Sequence, residues 1–199
     1  MQSLVDFMAA NHRYSFGVLT FETARLRCRA LTLSEYASFN EGREPMWPDL
    51  SNPYGHLISG PSPLAFRSPR VAANPTFAEI GLVLAIDKVS NELIGSAGFH
   101  DFPTNEGMIE IGFGIVPERQ NQGFGTELLL GMWLQIILDP LVKVLRYTVS
   151  PENAPSLHIV KKLGFHFIGE QLDDIDGKEL IFELSVEEFK KKFGGDERI

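Results

Sequence analysis

The stretch Val116-Pro117-Glu118-Arg119-Gln120-Asn121-Gln122-Gly123-Phe124-Gly125-Thr126 joins a predicted β-strand to a predicted α-helix. This layout points several backbone N–H groups and the positive end of the helix dipole at one place. Gly123 and Gly125 carry no Cβ atom, so the main chain can approach an anion closely there and adopt unusual φ angles. The stretch therefore predicts a site that binds an anion such as a pyrophosphate through backbone amides, without many cationic side chains.

A Gly-x-Gly sequence before a helix also has a simpler interpretation, which is a tight turn between strand and helix. Two other phosphate-binding loops do not fit the residues. The third glycine and the ribose-binding carboxylate of a dinucleotide fingerprint are missing, and so is the Gly-Lys-Ser/Thr end of a Walker loop. The residues around the turn must therefore decide between an anion site and a plain turn.

The sequence on both sides of this turn alternates between strand and helix patterns. Before it, we predict a short helix that starts at Thr32 or Ser34, and strands at 26–30, 81–87, 93–100 and 108–116. After it, we predict a helix at 126–138, a strand at 142–149 and a helix at 154–163 that Gly164 ends. A hairpin of strands 165–170 and 179–184 precedes a last helix at 186–193. This order indicates a mixed α/β (α+β) fold.

A chain of 199 residues fits one domain. We expect residues 1–21 to form an N-terminal extension, residues 22–193 the domain, and residues 194–199 a tail. Seven of the twelve prolines lie in an insertion at 44–75, where missing N–H donors exclude a long helix or a central strand. The insertion is either a lid over a site or a packed surface loop, and its aromatic residues Trp47, Tyr54 and Phe66 favour an ordered segment.

The charge balance narrows the class of partner. The chain has 18 Lys and Arg against 26 Asp and Glu, a formal net charge of −8, which argues against nucleic acid as a partner and suits an amine-bearing one. Cys28 is the single cysteine, so the chain can form neither an internal disulfide nor a cysteine-based zinc site, and its alternating strand favours a small buried residue. No apolar stretch reaches the roughly 20 residues that span a bilayer, so we expect no membrane partner and a cytoplasmic location.

The stretch from Val116 to Gly125 closely resembles the acetyl-CoA signature of the GCN5-related N-acetyltransferases, with its Gln/Arg-x-x-Gly-x-Gly/Ala core. A second match follows downstream, at Asn153-Ala154-Pro155-Ser156 and Lys162-Leu163-Gly164-Phe165. The opening Glu22-Thr23-Ala24-Arg25-Leu26 and the strand Glu110-Ile111-Gly112-Phe113 are similar to the branch that contains the ribosomal-protein N-terminal acetyltransferases. The resemblance covers roughly residues 21–184. The insertion at 44–75 departs from that branch, and it lies where the family builds its acceptor site.

The resemblance implies a central, mostly antiparallel twisted sheet of six to seven strands flanked by helices. The strands at 108–116 and 142–149 would splay apart and leave a V-shaped gap for the pantetheine arm of acetyl-CoA, which would pair with the backbone of Ile115 and Val116. The pyrophosphate would bind the loop, and Asn153 would bond the arm as well as cap its helix. The implied cofactor-binding residues of the loop are Gln120, Asn121, Gln122, Gly123, Phe124, Gly125 and Thr126.

Acyl transfer to an amine requires a base, and Glu110 is the first candidate. On its strand Glu110 shares a face with Gly112 and Gly114, whose missing side chains leave space for a carboxylate that accepts the amine proton directly or through a water. The alternative interpretation of Glu110 is an ordinary solvent-facing strand residue. His100, at the end of the neighbouring predicted strand, is a second candidate because its usual pKa suits the task, although a histidine beside an aspartate at a strand end is more often a turn residue.

The departing thiolate requires a hydrogen-bond donor, and Ser156 is the candidate catalytic residue for that step. It lies one turn into the helix at 154–163, where the resemblance implies a hydroxyl or phenol near the sulfur. Its simpler interpretation is a serine in the first turn of a helix. The oxyanion needs only a strand N–H near Ile115.

The sequence thus predicts an acyl-CoA-dependent N-acetyltransferase that uses acetyl-CoA, needs no metal, and transfers the acetyl group directly to a primary amine. A small-molecule amine is slightly favoured over a protein N-terminus, because Trp47, Tyr54 and Phe66 can wall a closed pocket. The alternative is a non-catalytic CoA-binding or sensor module on the same fold. The chain is expected to be a monomer or a homodimer.

Overall fold

The structure, a computed structural model, describes residues 17–59, 62–173 and 177–194. Its centre is an eight-stranded sheet in the order β1-β2-β3-β4-β5-β6-β8-β7. Every neighbouring pair is antiparallel except β5 and β6, which are parallel. The strands are β1 (Thr20–Glu22), β2 (Leu26–Ala30), β3 (Val83–Asp87), β4 (Leu93–Phe99), β5 (Met108–Ile115), β6 (Val144–Val149), β7 (His166–Asp173) and β8 (Gly177–Ser185).

Six α-helices flank the sheet in the described part of the chain. They are α1 (Leu33–Asn40), α2 (Leu64–Ala73), α3 (Ala78–Gly81), α4 (Phe124–Ile136), α5 (Ala154–Leu163) and α6 (Val186–Phe193). Short 3-10 turns at Pro75–Phe77 and Pro117–Arg119 precede α3 and the loop before α4. Trp133 of α4 is fully buried between Phe99 of β4 and Phe165, which places the centre of the core between α4 and the sheet. None of the described helices combines the length and apolar character needed to cross a membrane.

The mixed α/β fold with a mostly antiparallel sheet is confirmed, but the strand count of six to seven was too low. The additional strand is β1, in which Phe21 is buried and pairs with Cys28 of β2. The sheet therefore begins inside the segment 1–21 that we expected to be an extension. Its three residues are too few to show a strand period in the sequence. Residues 1–16 and 195–199 lie outside the described part of the chain.

Start and stop signals located several helices correctly. Thr32 caps α1 in a reciprocal capping box with Glu35, and Gly164 ends α5 in a left-handed conformation with φ of 85°. Cys28 is fully buried, and burial raises the pKa of its thiol to about 12, as suits a packing residue.

The proline-rich insertion contains a ten-residue helix, α2, where we expected no long helix. Pro63 precedes the helix, where its missing N–H has no cost, and Pro69 inside α2 removes one backbone hydrogen bond. Leu64 and Val71 on the buried face of α2 pack into the core and offset that loss. Packing against the sheet therefore outweighs the local effect of proline.

The predicted splay lies between β5 and β6. These strands pair only from Met108 opposite Val144 to Ile111 opposite Tyr147. Beyond Ile111, β5 continues to pair with β4 on its other side, up to Ile115 opposite Gly95. The edge of β5 that faces β6 is therefore open from Gly112 onward, which leaves a V-shaped gap in the sheet.

Candidate active site

A cavity of about 550 Å³ opens at this gap, between the end of β5, the loop before α4, and the start of α5. We call it the donor-side cavity. Among the residues that line it are nine of the predicted site residues: Ile115, Gln120, Asn121, Gly123, Phe124, Gly125, Thr126, Asn153 and Ser156. Two motifs that lie far apart in the sequence thus meet around one space, which favours the anion site over a plain turn.

The loop before α4 has the backbone geometry of an anion-binding turn. Asn121 and Gly123 both adopt left-handed conformations, with φ of 58° and 85°. Helix α4 begins at Phe124, and no side chain caps its first N–H groups. These unpaired N–H groups lie beside the cavity, together with the positive end of the helix dipole. The loop can therefore hold a phosphate group through its backbone.

Val116 and Gln122, which the sequence also assigned to the cofactor, do not line this cavity. The N–H of Val116 donates to Ile94 over 2.9 Å, and its carbonyl accepts from the Arg119 N–H over 3.0 Å, so both backbone groups are already paired. The carbonyl of Gln122 accepts from the Arg25 guanidinium over 2.9 Å. These two residues therefore hold the loop in place through contacts away from the cavity.

A carboxylate on the first turn of α4 fixes the loop to the β1–β2 hairpin. Glu127 accepts hydrogen bonds from the Thr23 hydroxyl over 2.5 Å and from the Arg25 backbone N–H and Nε, each over 2.7 Å. Burial acts to raise the pKa of Glu127, but the bonds from Thr23 and Arg25 hold it below its usual value. The Arg25 guanidinium also lies 4.1 Å from the centre of the Phe124 ring. These contacts, which we call the Glu127 clamp, join Thr23 and Arg25 to the loop before α4. We call residues 120–126 the phosphate loop, after the role that the sequence predicts for them.

A second cavity, of about 620 Å³, lies on the other side of β5. We call it the acceptor-side cavity; His56, Phe66, Arg67 and His100 are among the residues that line it. The two cavities share Phe113 and Gly114. A Cβ atom at Gly114 would meet no heavy atom within 4 Å, so the strand leaves open space where the cavities meet. Molecules in the two cavities can therefore contact each other at this point.

The two candidate bases lie together at this cavity. Because Phe99 of β4 is opposite Ile111 of β5, the following residue His100 faces Glu110, and its N–H donates to the Glu110 carbonyl over 2.8 Å. His100 Nδ1 lies 3.5 Å from Glu110 Oε1, and the Thr148 hydroxyl donates to the same oxygen over 2.6 Å. His100 lines the acceptor-side cavity, whereas Glu110 contacts His100 and is not among the lining residues. The space that we predicted beside Glu110 is thus partly filled by an imidazole.

The environment of His100 favours its neutral form. Burial lowers the pKa of His100, and the positive charge of Arg67 lowers it further, while the negative charge of Glu110 opposes both effects. Its Nε2 lies 2.9 Å from the position that a Cβ atom of Gly112 would occupy. His100 therefore presents an unprotonated ring nitrogen next to Gly112 of β5, where it can accept a proton.

Asn153 and Ser156 are positioned by the start of α5. The Asn153 side chain accepts from the Ser156 N–H over 3.2 Å, which confirms the predicted N-cap. Ser156 is buried, and its side chain interacts with that of Tyr147 of β6, a residue that our sequence analysis did not single out. Burial raises the pKa of Tyr147 to about 12. The pattern of buried alternate residues on β6 locates this phenol, but its partner depends on the tertiary fold.

The insertion supplies one wall of the acceptor-side cavity. Of the three aromatic residues expected to wall a pocket, Phe66 lines the cavity, but Trp47 and Tyr54 do not. The Trp47 indole donates to Glu35 over 2.5 Å and the Tyr54 hydroxyl to Glu92 over 3.1 Å, so they attach the insertion to the rest of the fold. His56 Nε2 lies 2.9 Å from the Ser96 hydroxyl oxygen, and burial lowers the pKa of His56 to about 4.

Several residues of the two cavities were not anticipated. Arg119, His158 and Lys162 line the donor-side cavity and add basic groups near the loop, although Arg119 is already paired with Asp87 and Glu92. Arg67 lines the acceptor-side cavity while being only 7% exposed. Nothing in the periodicity of a proline-rich segment marks one arginine as buried, so this placement needed the structure.

Known structures share this architecture at low sequence identity. The ribosomal-protein-S5-alanine acetyltransferase from Vibrio fischeri has a TM-score of 0.63 at 11% identity, over 86% of this chain and 99% of that one. RimJ from Mycobacterium smegmatis, in complex with CoA-disulfide, has a TM-score of 0.59 at 16% identity, over 87% and 90%. Mutant forms of the spermidine/spermine N-acetyltransferase SpeG from Vibrio cholerae have a TM-score of 0.61 at 14% identity, over 85% and 99%.

These similarities establish the fold, and a sequence comparison establishes the family. No curated protein sequence matches the chain. Residues 25–166, however, match the sequence model of the acetyltransferase (GNAT) domain, and that range contains both the phosphate loop and the Asn153–Ser156 motif. Because the match spans well over half of the 199 residues, the chain belongs to the GNAT acetyltransferase family.

Proposed function

We propose that the protein transfers an acetyl group from acetyl-CoA directly to the primary amine of a small molecule. Membership of the GNAT family makes the chain an acyl-CoA-dependent N-acetyltransferase with acetyl-CoA as its donor, as the sequence predicted. The direct transfer and the kind of acceptor are the parts that we propose. The observation that carries them is the meeting of two cavities at Gly114, since it allows a donor on one side of β5 to reach an acceptor on the other.

On the donor side, acetyl-CoA supplies the acetyl group as an activated thioester. The unpaired N–H groups of the loop from Asn121 to Thr126 are placed to bind its pyrophosphate. The open edge of β5 from Gly112 to Ile115 can pair with the pantetheine arm, since backbone groups there have no strand partner on that side. The carbonyl of Ile115 accepts a hydrogen bond from the Gln120 side chain over 2.8 Å, so the arm would pair with the other backbone groups or displace that amide. Holding donor and acceptor together in this way supplies much of the rate enhancement.

On the acceptor side, we assign the removal of the amine proton to His100, with Glu110 as the group that positions it. His100 reaches the cavity and is held neutral, so Nε2 can accept the proton. Glu110 lies against Nδ1 and stabilises the charged ring that forms. This assignment reverses the order of preference that the sequence suggested, because His100 lines the cavity and Glu110 does not.

Ser156 is placed to hydrogen-bond the sulfur when the thiolate leaves. It lines the donor-side cavity, and its side chain interacts with that of Tyr147. A thiol has a usual pKa near 8.5, well below the value of about 12 for Tyr147, so the phenol is a poor proton donor to a thiolate. We therefore propose that Ser156 and Tyr147 solvate the sulfur and that the proton comes from solvent.

Two features support a small-molecule acceptor over a protein N-terminus. A volume of about 620 Å³ is typical of a small-ligand site, and the insertion covers it with Phe66 and His56. A polypeptide acceptor needs a groove that continues past its first residues. The insertion occupies the place where the family resemblance puts the acceptor site.

The test measures thiol release and acetylated product with a panel of amines and peptides, for the wild type and two variants. His100→Gln should lower kcat/KM roughly 100-fold or more, as expected for the loss of a general base. Glu110→Gln should lower it less and move the acidic limb of the pH profile to lower pH, because the charge of Glu110 raises the pKa of His100.

Other outcomes would identify different chemistry. If Glu110→Gln abolishes transfer while His100→Gln has little effect, Glu110 is the base. If peptides are acetylated in preference to every small amine, the acceptor class is wrong. Binding of CoA without transfer to any acceptor, and without an effect of either variant, would support the sensor module instead.

A further inference from the structure

Arg67 of α2 is a buried cation that lacks an acidic partner. Only 7% of its surface is exposed, yet within the described ranges no carboxylate oxygen lies within 4 Å of its guanidinium. Its single hydrogen bond there is donated by Nε to the carbonyl of Gly81, over 3.1 Å. Buried arginines are almost always paired, because an isolated charge loses its hydration. The terminal nitrogens of Arg67 therefore lie at the cavity without a direct ion pair to any described residue, although the more distant charges of Glu110 and Asp101 stabilise the guanidinium.

Two of the acids near Arg67, Asp101 and Glu110, have other partners at hydrogen-bond distance. Asp101 pairs with Arg70 over 3.2 Å, and Glu110 accepts from Thr148 over 2.6 Å. Asp173 also lines the cavity and has an interaction of its own. Arg70 lies in the same lining, but it is about half exposed and its charge is paired with Asp101. The part of the cavity around Arg67 is consequently suited to an anion.

The position of Arg67 sets how far that anion lies from the reacting amine. Measured from the place that a Cβ atom of Gly112 would occupy, one terminal nitrogen of Arg67 lies at 3.9 Å and His100 Nε2 at 2.9 Å. The cation and the proposed base therefore flank the same point on β5. A ligand that contacts both needs an anionic group only a few bonds from its amine.

We propose that the acceptor is a small amine that carries a carboxylate or phosphate group close to the amine, and that Arg67 binds this group. The inference rests on the proposed acetyl transfer and names the acceptor class. Arginine binds carboxylates and phosphates alike through paired N–H groups, so the geometry defines an anion and not its source. Polyamines would bring further positive charge against Arg67 and Arg70, and a peptide N-terminus would place an uncharged carbonyl there.

The experiment compares acceptors that differ in one charge. Free amino acids are paired with their carboxamides, phosphoethanolamine with ethanolamine, and spermidine and short peptides complete the panel. For the wild-type enzyme with saturating acetyl-CoA, we expect kcat/KM to be at least about tenfold higher for the anionic member of one series, since a charge-assisted bond contributes that much. The series in which the preference occurs separates a carboxylate acceptor from a phosphate acceptor.

Variants then assign the preference to Arg67. Arg67→Gln should reduce the ratio of kcat/KM between the anionic and the neutral member about tenfold, while CoA binding stays within about twofold. The ratio is the readout because Arg67 also lowers the pKa of His100, so the absolute kcat/KM of both members can change together. Arg67→Lys, which keeps the charge, should retain part of the preference. Arg70→Gln is the matched control, and it should have a smaller effect because its charge is already paired with Asp101.

The possible failures are distinguishable. Equal or better transfer to carboxamides, ethanolamine or spermidine overturns this inference and leaves the acetyl transfer intact. The same preference in Arg67→Gln as in the wild type also overturns it, by moving the anion site elsewhere. Absence of transfer to every acceptor overturns the proposed function itself. The wild-type comparison needs no variant, so misfolding of Arg67→Gln does not prevent a result.

Discussion

Gly114 allows a test of the passage between the cavities by a single side chain. A Cβ atom there would meet nothing within 4 Å, so we expect Gly114→Val to change the free energy of unfolding by no more than about 0.5 kcal/mol. The new side chain would occupy the space where donor and acceptor meet. We therefore predict a loss of roughly 100-fold in kcat/KM, since small misplacements of reacting groups cost about that much. Urea denaturation and steady-state kinetics measure the two effects.

A graded series at the same position provides the control. Gly114→Ala should lower kcat/KM less than Gly114→Val, and Gly114→Leu should lower it more, with stability similar in all three. A variant that is fully active with a leucine at this position would show that the acetyl group does not pass here.

Some residues of the candidate site could be predicted from the local sequence, and others could not. Glu110 was a candidate because it shares a strand face with two glycines, and His100 because of its usual pKa, whereas their proximity follows from the strand register that the structure shows. Arg67 and Tyr147 depend on which side chains of distant segments meet. Burial of a polar group is decided by tertiary contacts, and no short-range pattern contains that information.

Among the secondary-structure elements, the Glu127 clamp holds the loop before α4 against the β1–β2 hairpin. We therefore expect the clamp to affect both the stability of the protein and its binding of CoA. Glu127→Gln would weaken bonds from Thr23 and Arg25 that a charged acceptor makes strong. We predict a loss of about 2 kcal/mol in the free energy of unfolding, and weaker CoA binding because Arg25 also holds the carbonyl of Gln122. Urea denaturation and calorimetric titration with CoA measure these changes.

The matched control is a glutamate in the first turn of another helix. Glu187 of α6 is exposed, and Glu187→Gln should alter stability by no more than about 0.5 kcal/mol and leave CoA binding unchanged. Equal effects of the two substitutions would mean that the clamp contributes only a general helix-terminus effect.

Most elements could be predicted from sequence because their ends carry local signals. The cap at Thr32 and the glycine after α5 act within one turn of the chain, and a resemblance that includes the loop before α4 predicts a role for it. Helix α2 was missed for the opposite reason. Its prolines disfavour a helix locally, and the packing of Leu64 and Val71 that stabilises it comes from outside the segment.

For the protein as a whole, the lowered pKa of His56 predicts how the free energy of unfolding depends on pH. Burial lowers the pKa of His56 to about 4, whereas an unfolded chain gives histidine its usual value near 6.5. Between these values the unfolded state binds the proton more readily, so the free energy of unfolding falls as the pH drops from 6.5 to 4. We predict that His56 accounts for roughly 1–2 kcal/mol of that fall.

Urea denaturation of the wild type and His56→Gln at pH 7, 5.5 and 4.5 tests this dependence. The variant should be less stable than the wild type at pH 7, because it loses packing and the contact with Ser96, but its stability should depend less on pH. His158→Gln, at an exposed position, should retain the wild-type dependence. An unchanged pH dependence in His56→Gln would assign the effect to other groups.

The open edge of β5 and the placement of the insertion have a consequence for how this architecture diversifies. Residues of the insertion contribute to the acceptor-side cavity, and none of those described, 44–59 and 62–75, lines the donor-side cavity. The walls of the donor-side cavity come from β5, the phosphate loop and α5. Substitutions or length changes in residues 44–75 can therefore alter which amine is accepted while the CoA site keeps its shape. Strand β5 separates the two cavities, so the residues that select the amine can change in evolution without changing those that form the CoA site.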